Sequence, residues 1–189
     1  MEKADILQTV AEALLGGDRA EALSHIADHY PFSFVPGGKR QYSDQLRMKI
    51  YSRDGFMDRY SGERLVNPGL LRAVSHYFPA EFPYHPHWKY SNCHLAFWEL
   101  LPSLDHVIPV ALGGADDESN LVSTTQLNNS IKANWTLEQL RWKLRPIEEN
   151  SRWDGLTGLF IRLFERDPSL EEISYIGRWY RISRAWIKS

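Results

Sequence analysis

Asp105-His106, Gly113-Gly114, Asn120-Leu121, Asn128-Asn129 and Lys132 follow one another within 28 positions of the chain. These residue types together can hydrolyse a phosphodiester. A neutral imidazole can take a proton from water, and an ordinary histidine is mostly neutral at pH 7. A carboxylate and a side-chain amide carbonyl are the hard oxygen donors that a small divalent cation prefers. Such a cation neutralises charge on the phosphate and on the departing sugar oxygen. Taken singly, each residue has a plainer reading. Asp-His is a common dipeptide, an asparagine beside a strand is often a turn residue, and Asn128-Asn129 could be helix surface. The order and spacing of the whole set carry the functional reading.

The set resembles the HNH motif of the ββα-metal nucleases. That family includes colicin nuclease domains, phage and intron homing endonucleases and many restriction enzymes. Its pattern is a strand bearing Asp-His, a loop often containing Gly-Gly, an Asn-Leu on a second strand, and a final Asn or His on a helix. Here fourteen positions separate His106 from Asn120, and nine separate Asn120 from Asn129. The resemblance covers about residues 50–135. It implies His106 as general base and Asn120 as the residue that ties the loop and orients the base. It also implies Asp105 and Asn129 as ligands of one divalent ion, Mg²⁺ or Mn²⁺. Lys132, three residues beyond Asn129, is expected on the same helix face as a phosphate contact or a solvated cation. The implied substrate is DNA, double-stranded. An inactive DNA-gripping relative and an RNA-cleaving nuclease are the alternatives. Neighbouring strand residues face opposite ways, so the resemblance implies a bulged or bent hairpin that turns Asp105 and His106 to one site.

The chain also departs from the family. Many HNH proteins bind a structural zinc through two Cys-x-x-Cys knuckles. The corresponding positions here are Asp58, Ser61, Thr125 and Asn128, and Cys93 is the only cysteine. No structural zinc is therefore expected, and the knuckle should persist as a metal-free turn held by hydrogen bonds and packing. The long stretch after Gly62 contains His76, His85, His87, Cys93 and His94. A replacement zinc site among them is weaker than packing in a proline- and aromatic-rich loop, although one of these histidines could touch the scissile phosphate.

The elements that must position these residues are readable from caps and periodicity. Ile6, Val10 and Leu14 mark an amphipathic helix ending at Gly16-Gly17. Asp18 with Glu21 starts a second helix, Pro36-Gly37-Gly38 reads as a linker, and Ser43 caps a third helix. Arg53-Asp54-Gly55-Phe56 breaks that helix and leads into a short hairpin through Ser61-Gly62. Asn67-Pro68 opens another helix. Leu104 to Val110 reads as a strand and Leu121-Val122 as its return, with Ser123 or Thr124 capping the next helix. Thr136/Gln139, Ser151/Asp154 and Ser169/Glu172 read as three further capping boxes. Trp153, Leu156, Phe160 and Leu163 form one apolar stripe, and Ile173, Ile176 and Tyr180 another.

The fold class expected is α+β, a ββα-metal core with helical additions at both ends. Its parts are an N-terminal helical segment at 1–35, a nuclease core at 40–135 with an inserted loop at about 63–103, and a C-terminal helical region at 136–189. Hydrophobic residues make up 43% and charged residues 24% of the 189, an ordinary globular balance. No apolar run reaches membrane-spanning length, so no membrane partner is expected. The start lacks a signal-peptide pattern and the chain can form no internal disulfide, so a cytoplasmic location is expected. A homodimer is left open.

The net charge of −2 hides a pattern. Residues 39–64 carry seven basic and four acidic side chains, and residues 130–189 carry eleven and eight. The segment between them carries two and six. Two positive blocks thus flank an acidic middle, and phosphate binding needs local positive surface rather than a basic total. The basic, aromatic end is a candidate backbone-binding element, with Arg181 and Arg184 as its contacts beside Arg178, Trp179, Tyr180, Trp186 and Lys188. The competing reading is an amphipathic helix that packs its aromatics inward.

Overall fold

The computed structural model describes residues 2–32, 41–87, 89–147 and 152–187, with the backbone alone for Tyr90. Pro36-Gly37-Gly38, Ser151 and Lys188 lie outside the described residues. The chain divides into two compact units, Met1–Gly38 and Lys39–Ser189. In the first, helix α1 (Lys3–Leu15) packs on α2 (Arg19–His29), whose first turn is capped by Asp18 accepting from the Glu21 N–H.

The second unit mixes helices with one two-stranded antiparallel sheet, an α+β arrangement. Its described helices are α3 (Asp44–Arg53), α4 (Pro68–Tyr77), α5 (Ala96–Glu99), α6 (Gln126–Lys132), α7 (Leu137–Leu140), α8 (Thr157–Arg166) and α9 (Ser174–Ile187). The sheet pairs β1 (Pro102–His106) with β2 (Leu121–Thr125). Ser43 caps α3, and Asn67 caps α4 with Pro68 in the first turn. Thr136 and Gln139 form a capping box on α7.

The C-terminal helices complete the core of this unit. Phe160 and Phe164 of α8 and Ile176 and Trp179 of α9 are buried with Met48, Ile50 and Tyr51 of α3 and with Leu104 and Leu121 of the sheet. Trp179 stacks on Tyr51, and Tyr180 stacks on Phe164 at 3.9 Å. Helix α9 therefore turns Trp179 and Tyr180 inward, while Trp186 is exposed. A second cluster, around Val66, Leu71, Phe97 and Leu101, packs the two ends of the inserted stretch together.

Several local expectations are corrected. The first strand is shorter than Leu104–Val110 and ends at His106, because residues 110–112 turn into a short 3₁₀ segment. Thr125 caps α6 rather than Ser123 or Thr124, which lie within β2 with their side chains buried. The segment around Ser61-Gly62 keeps one bridge, Met57 with Arg64, instead of a full hairpin. Asp167 rather than Ser169 caps the turn after α8, with Pro168 at its first position. Leu156, in the left-handed region at φ 60°, precedes α8.

The Arg53–Phe56 segment anchors the sheet. Arg53 donates to the carbonyls of Glu118 and Leu121, and the buried Asp54 carboxylate accepts from the Ser123 N–H at 2.7 Å. Phe56 occupies the space that a side chain on Gly155 would need: a Cβ there would lie 2.3 Å from its ring.

Candidate functional site

Where β1 runs into the loop that connects it to β2, a cleft of about 270 Å³ is lined by Tyr42, Leu104, Asp105, His106, Pro109, Val110, Asn129, Ala133 and Asn134. Three of the four sequence-derived candidates meet there. Asp105 and His106 come from β1 and Asn129 from α6, which follows directly on β2. Of the expected bulged or bent hairpin, the bulge is not present: Asp105 pairs with Val122 and His106 with Leu121 in unbroken register. The two neighbours share a cleft because β1 stops at His106, so the cleft wraps around the strand end.

The fourth candidate, Asn120, lies behind the cleft. Its side-chain carbonyl accepts from the Ile108 N–H at 2.9 Å, and its amide donates to the carbonyls of Ile108 and Ala115, both at 2.8 Å. One side chain thereby ties both ends of the loop that leaves His106. The Gly-Gly pair fits this loop for two separate reasons. Gly113 takes the left-handed conformation at φ 89°. At Gly114 a Cβ would stand 2.0 Å from the Ile108 carbonyl oxygen and 2.8 Å from the Asn120 amide nitrogen.

His106 is half-buried and held from one side. Its Nε2 lies 2.9 Å from Asp116 Oδ1 and 3.2 Å from the Tyr42 hydroxyl, which itself donates to the same Asp116 oxygen at 2.5 Å. Asn129 is also oriented. Its Nδ2 donates to Ser103 Oγ at 2.6 Å and to the Leu104 carbonyl at 3.0 Å, which leaves the amide carbonyl for a ligand.

Asp105 is buried, and its Oδ2 is doubly engaged. It accepts from the Tyr60 hydroxyl at 2.5 Å and from Lys132 Nζ at 2.9 Å. Lys132 is not the surface or phosphate-contacting cation expected from its spacing. Its side chain is fully buried, and Nζ also donates to the His106 carbonyl at 2.7 Å. A buried carboxylate needs a counter-charge, and the ammonium supplies it within the protein. Burial, with the Asp105 carboxylate beside it, pushes the Tyr60 phenol far above its ordinary range, so it stays a donor.

The four positions aligned with the zinc knuckle come together on one carboxylate. Asp58, fully buried, accepts from the N–H groups of Tyr60 and Ser61 on Oδ1, and from Thr124 Oγ1, Thr125 N–H and Asn128 Nδ2 on Oδ2. Among the described residues no three His, Cys, Asp or Glu side chains converge on a metal-sized site. Of the described histidines of the inserted stretch, His94 stacks on Phe82 at 4.3 Å and accepts from the Ala96 N–H, His85 accepts from the His87 N–H, and His76 and His87 are exposed. None of His76, His85, His87 or His94 lines the cleft. On α9, Arg181 pairs with Glu171 and Arg184 with Glu165, all four exposed.

Sequence reasoning missed Tyr42, Tyr60, Ser103 and Asp116. Asp116 alone left a trace, as an acidic residue two places beyond Gly114, where the loop folds back on the base. Among the described residues, no helix is long and apolar enough to cross a membrane. Comparison with protein-family models, curated proteins and solved structures finds no match.

Proposed function

We propose that the protein is an HNH-type endonuclease of the ββα-metal class, hydrolysing phosphodiester bonds of DNA. The observation that carries this reading is the shared cleft, where a histidine, a carboxylate and an oriented amide carbonyl meet at the junction of two strands and a helix. The donor set suits a hard divalent ion. Asp105 Oδ1 and the Asn129 carbonyl are both oxygen atoms, and the described hydrogen bonds of these side chains run through Oδ2 and Nδ2. With two protein ligands, one largely water-coordinated Mg²⁺ or Mn²⁺ is the fitting ion. When bound, it would neutralise charge on the phosphate and the leaving oxygen.

The remaining work falls to the chain. With His106 Nε2–H donating to Asp116, the lone pair resides on Nδ1, where the imidazole takes a proton from the attacking water. Asp116 and Tyr42 hold the ring, and Asn120 fixes the loop that follows it. Lys132 and Tyr60 hold Asp105 in place through its Oδ2.

The same contacts favour a second reading, a DNA-gripping module without cleavage. The Lys132 ammonium already neutralises Asp105, and Asp116 already occupies one nitrogen of the base. Incubating the protein with plasmid DNA and Mg²⁺ or Mn²⁺ separates the readings. Relaxed or linear product, suppressed by EDTA and by His106→Ala, supports the nuclease; binding without any nicking refutes it. A parallel assay on RNA fixes the substrate.

A further inference from the structure

A second depression, a groove of about 660 Å³, is lined by Tyr60, Ser61, Asn128 and residues 141–146. Its charge is one-sided. Arg141, Lys143 and Arg145 line it and are exposed, and no described carboxylate lines it with them. Each positive block of the sequence contributes a wall: Tyr60 and Ser61 from the first, the 141–146 strap from the second. No described ion pair occupies these three cations, whereas Arg178, Arg181 and Arg184 of α9 each have a carboxylate partner.

The strap is anchored. Arg145 N–H donates to the Arg59 carbonyl, and Arg59 Nε donates back to the Arg145 carbonyl, both at 2.7 Å. Arg59 is fixed in turn by the buried Asp54. The Arg145 side chain lies over Gly62, where a Cβ would meet it at 3.6 Å. Half-buried Trp142 meets the Tyr60 ring at 5.4 Å. That same tyrosine donates its hydroxyl to Asp105, so one side chain forms a wall of the groove and touches the candidate ion ligand.

We propose that this groove is the track for the nucleic-acid strand flanking the scissile phosphate, an inference that rests on the nuclease reading above. Arg141, Lys143 and Arg145 neutralise successive phosphates, and Trp142 offers an aromatic face to a base or sugar. Backbone contacts of this kind set register and affinity without reading sequence.

The test is fluorescence anisotropy of a short labelled DNA duplex across a salt series in EDTA, where nothing is cut. The variant Arg141→Asn/Lys143→Ala/Arg145→Ala keeps the Arg145 backbone clamp, and asparagine tolerates the left-handed conformation of residue 141. It should lose affinity about tenfold or more and flatten the salt slope by about 0.9 per lost phosphate contact. Lys143→Glu alone, at an exposed site, gives the same direction should the triple variant misfold. Unchanged affinity and slope in a folded variant overturn the proposal. So does complete displacement of the duplex by deoxyadenosine monophosphate, which would make the groove a nucleotide pocket. Cleavage by the wild type in Mg²⁺, with groove variants binding normally, leaves the nuclease reading standing and the groove refuted. Groove-dependent binding with no cleavage by the wild type does the reverse.

Discussion

His106 and Lys132 carry opposite kinds of risk when replaced. The His106 side chain is 12% exposed and meets only the half-exposed Asp116 and the Tyr42 hydroxyl through Nε2, so His106→Ala should remove cleavage while leaving the protein folded with a modestly lower melting temperature. Loss of a general base costs roughly 10²–10⁴ in rate, and a variant cutting at the wild-type rate would refute the assignment. Lys132→Met keeps the stem but leaves the buried Asp105 charge uncompensated, which typically costs about 3–5 kcal/mol. If an ion and the ammonium address the same carboxylate, Mg²⁺ should raise the melting temperature of Lys132→Met more than that of the wild type. Equal shifts would mean that the ion does not bind at Asp105. The residues of this site divide by how far their partners lie along the chain. Asp105, His106, Asn120 and Asn129 were legible because their spacing reflects one short strand–loop–strand–helix segment. Tyr42 and Tyr60 were not, since they reach the site from 64 and 45 positions away. The burial of Lys132 was illegible although its partners lie in the same segment: only the folded hairpin shows that its helix face turns inward onto Asp105.

At the scale of elements, the loop between the strands is the most constrained piece. Gly114→Ala would press a methyl group into the Ile108 carbonyl and the Asn120 amide, backbone and clamp together. Overpacking of this kind costs about 1–3 kcal/mol, and because the clamp orients the segment after His106, turnover should fall further than stability. Gly113→Ala meets no atom within 4 Å and should strain only the backbone. Comparing cleavage rate with melting temperature for the two variants checks this; equal effects would remove the special role of Gly114. The helices were readable at their starts wherever a cap was local, as with Asp18, Ser43, Asn67 and Thr136. The same signals misled at Ser123, Thr124 and Ser169. There the hydroxyl is drawn away by a buried partner or by a neighbouring aspartate, as with Ser123 on the Ile50 carbonyl and Ser169 on Asp167. The strand end at His106 was not legible because Ile108 and Val110 are strand-forming types whose backbone is claimed by Asn120 and the following 3₁₀ turn.

Across the Lys39–Ser189 unit, stability rests on the last helices and on buried phenols. Truncation after Ile147 removes Phe160, Ile176 and Trp179 from the core and should unfold the unit, as circular dichroism would show. Burial pushes the Tyr51 phenol up to about 12 and raises Tyr60 and Tyr175 as well. Each is held neutral in the fold but ionises near pH 10 once unfolded. Their contribution is therefore fully present below about pH 10 and is lost as pH rises above it. Denaturant melts should show stability falling steeply on the alkaline side, by about 1.4 kcal/mol per pH unit for each tyrosine. Tyr51→Phe should flatten that slope, and an unchanged slope would assign the alkaline loss elsewhere.

The Asp58 carboxylate has a consequence for the time course of assembly. A knuckle closed by an ion is finished only when the ion arrives, so its completion depends on supply. A knuckle closed by five hydrogen bonds to a side chain of the same polypeptide is finished when residues 58–61 meet residues 124–128. Refolding from denaturant should then proceed at one rate whether chelator or zinc is in the buffer. Asp58→Ala, which strands several buried donors, should slow or prevent it in both. A refolding rate that climbs with added zinc would show that this chain still waits for a metal.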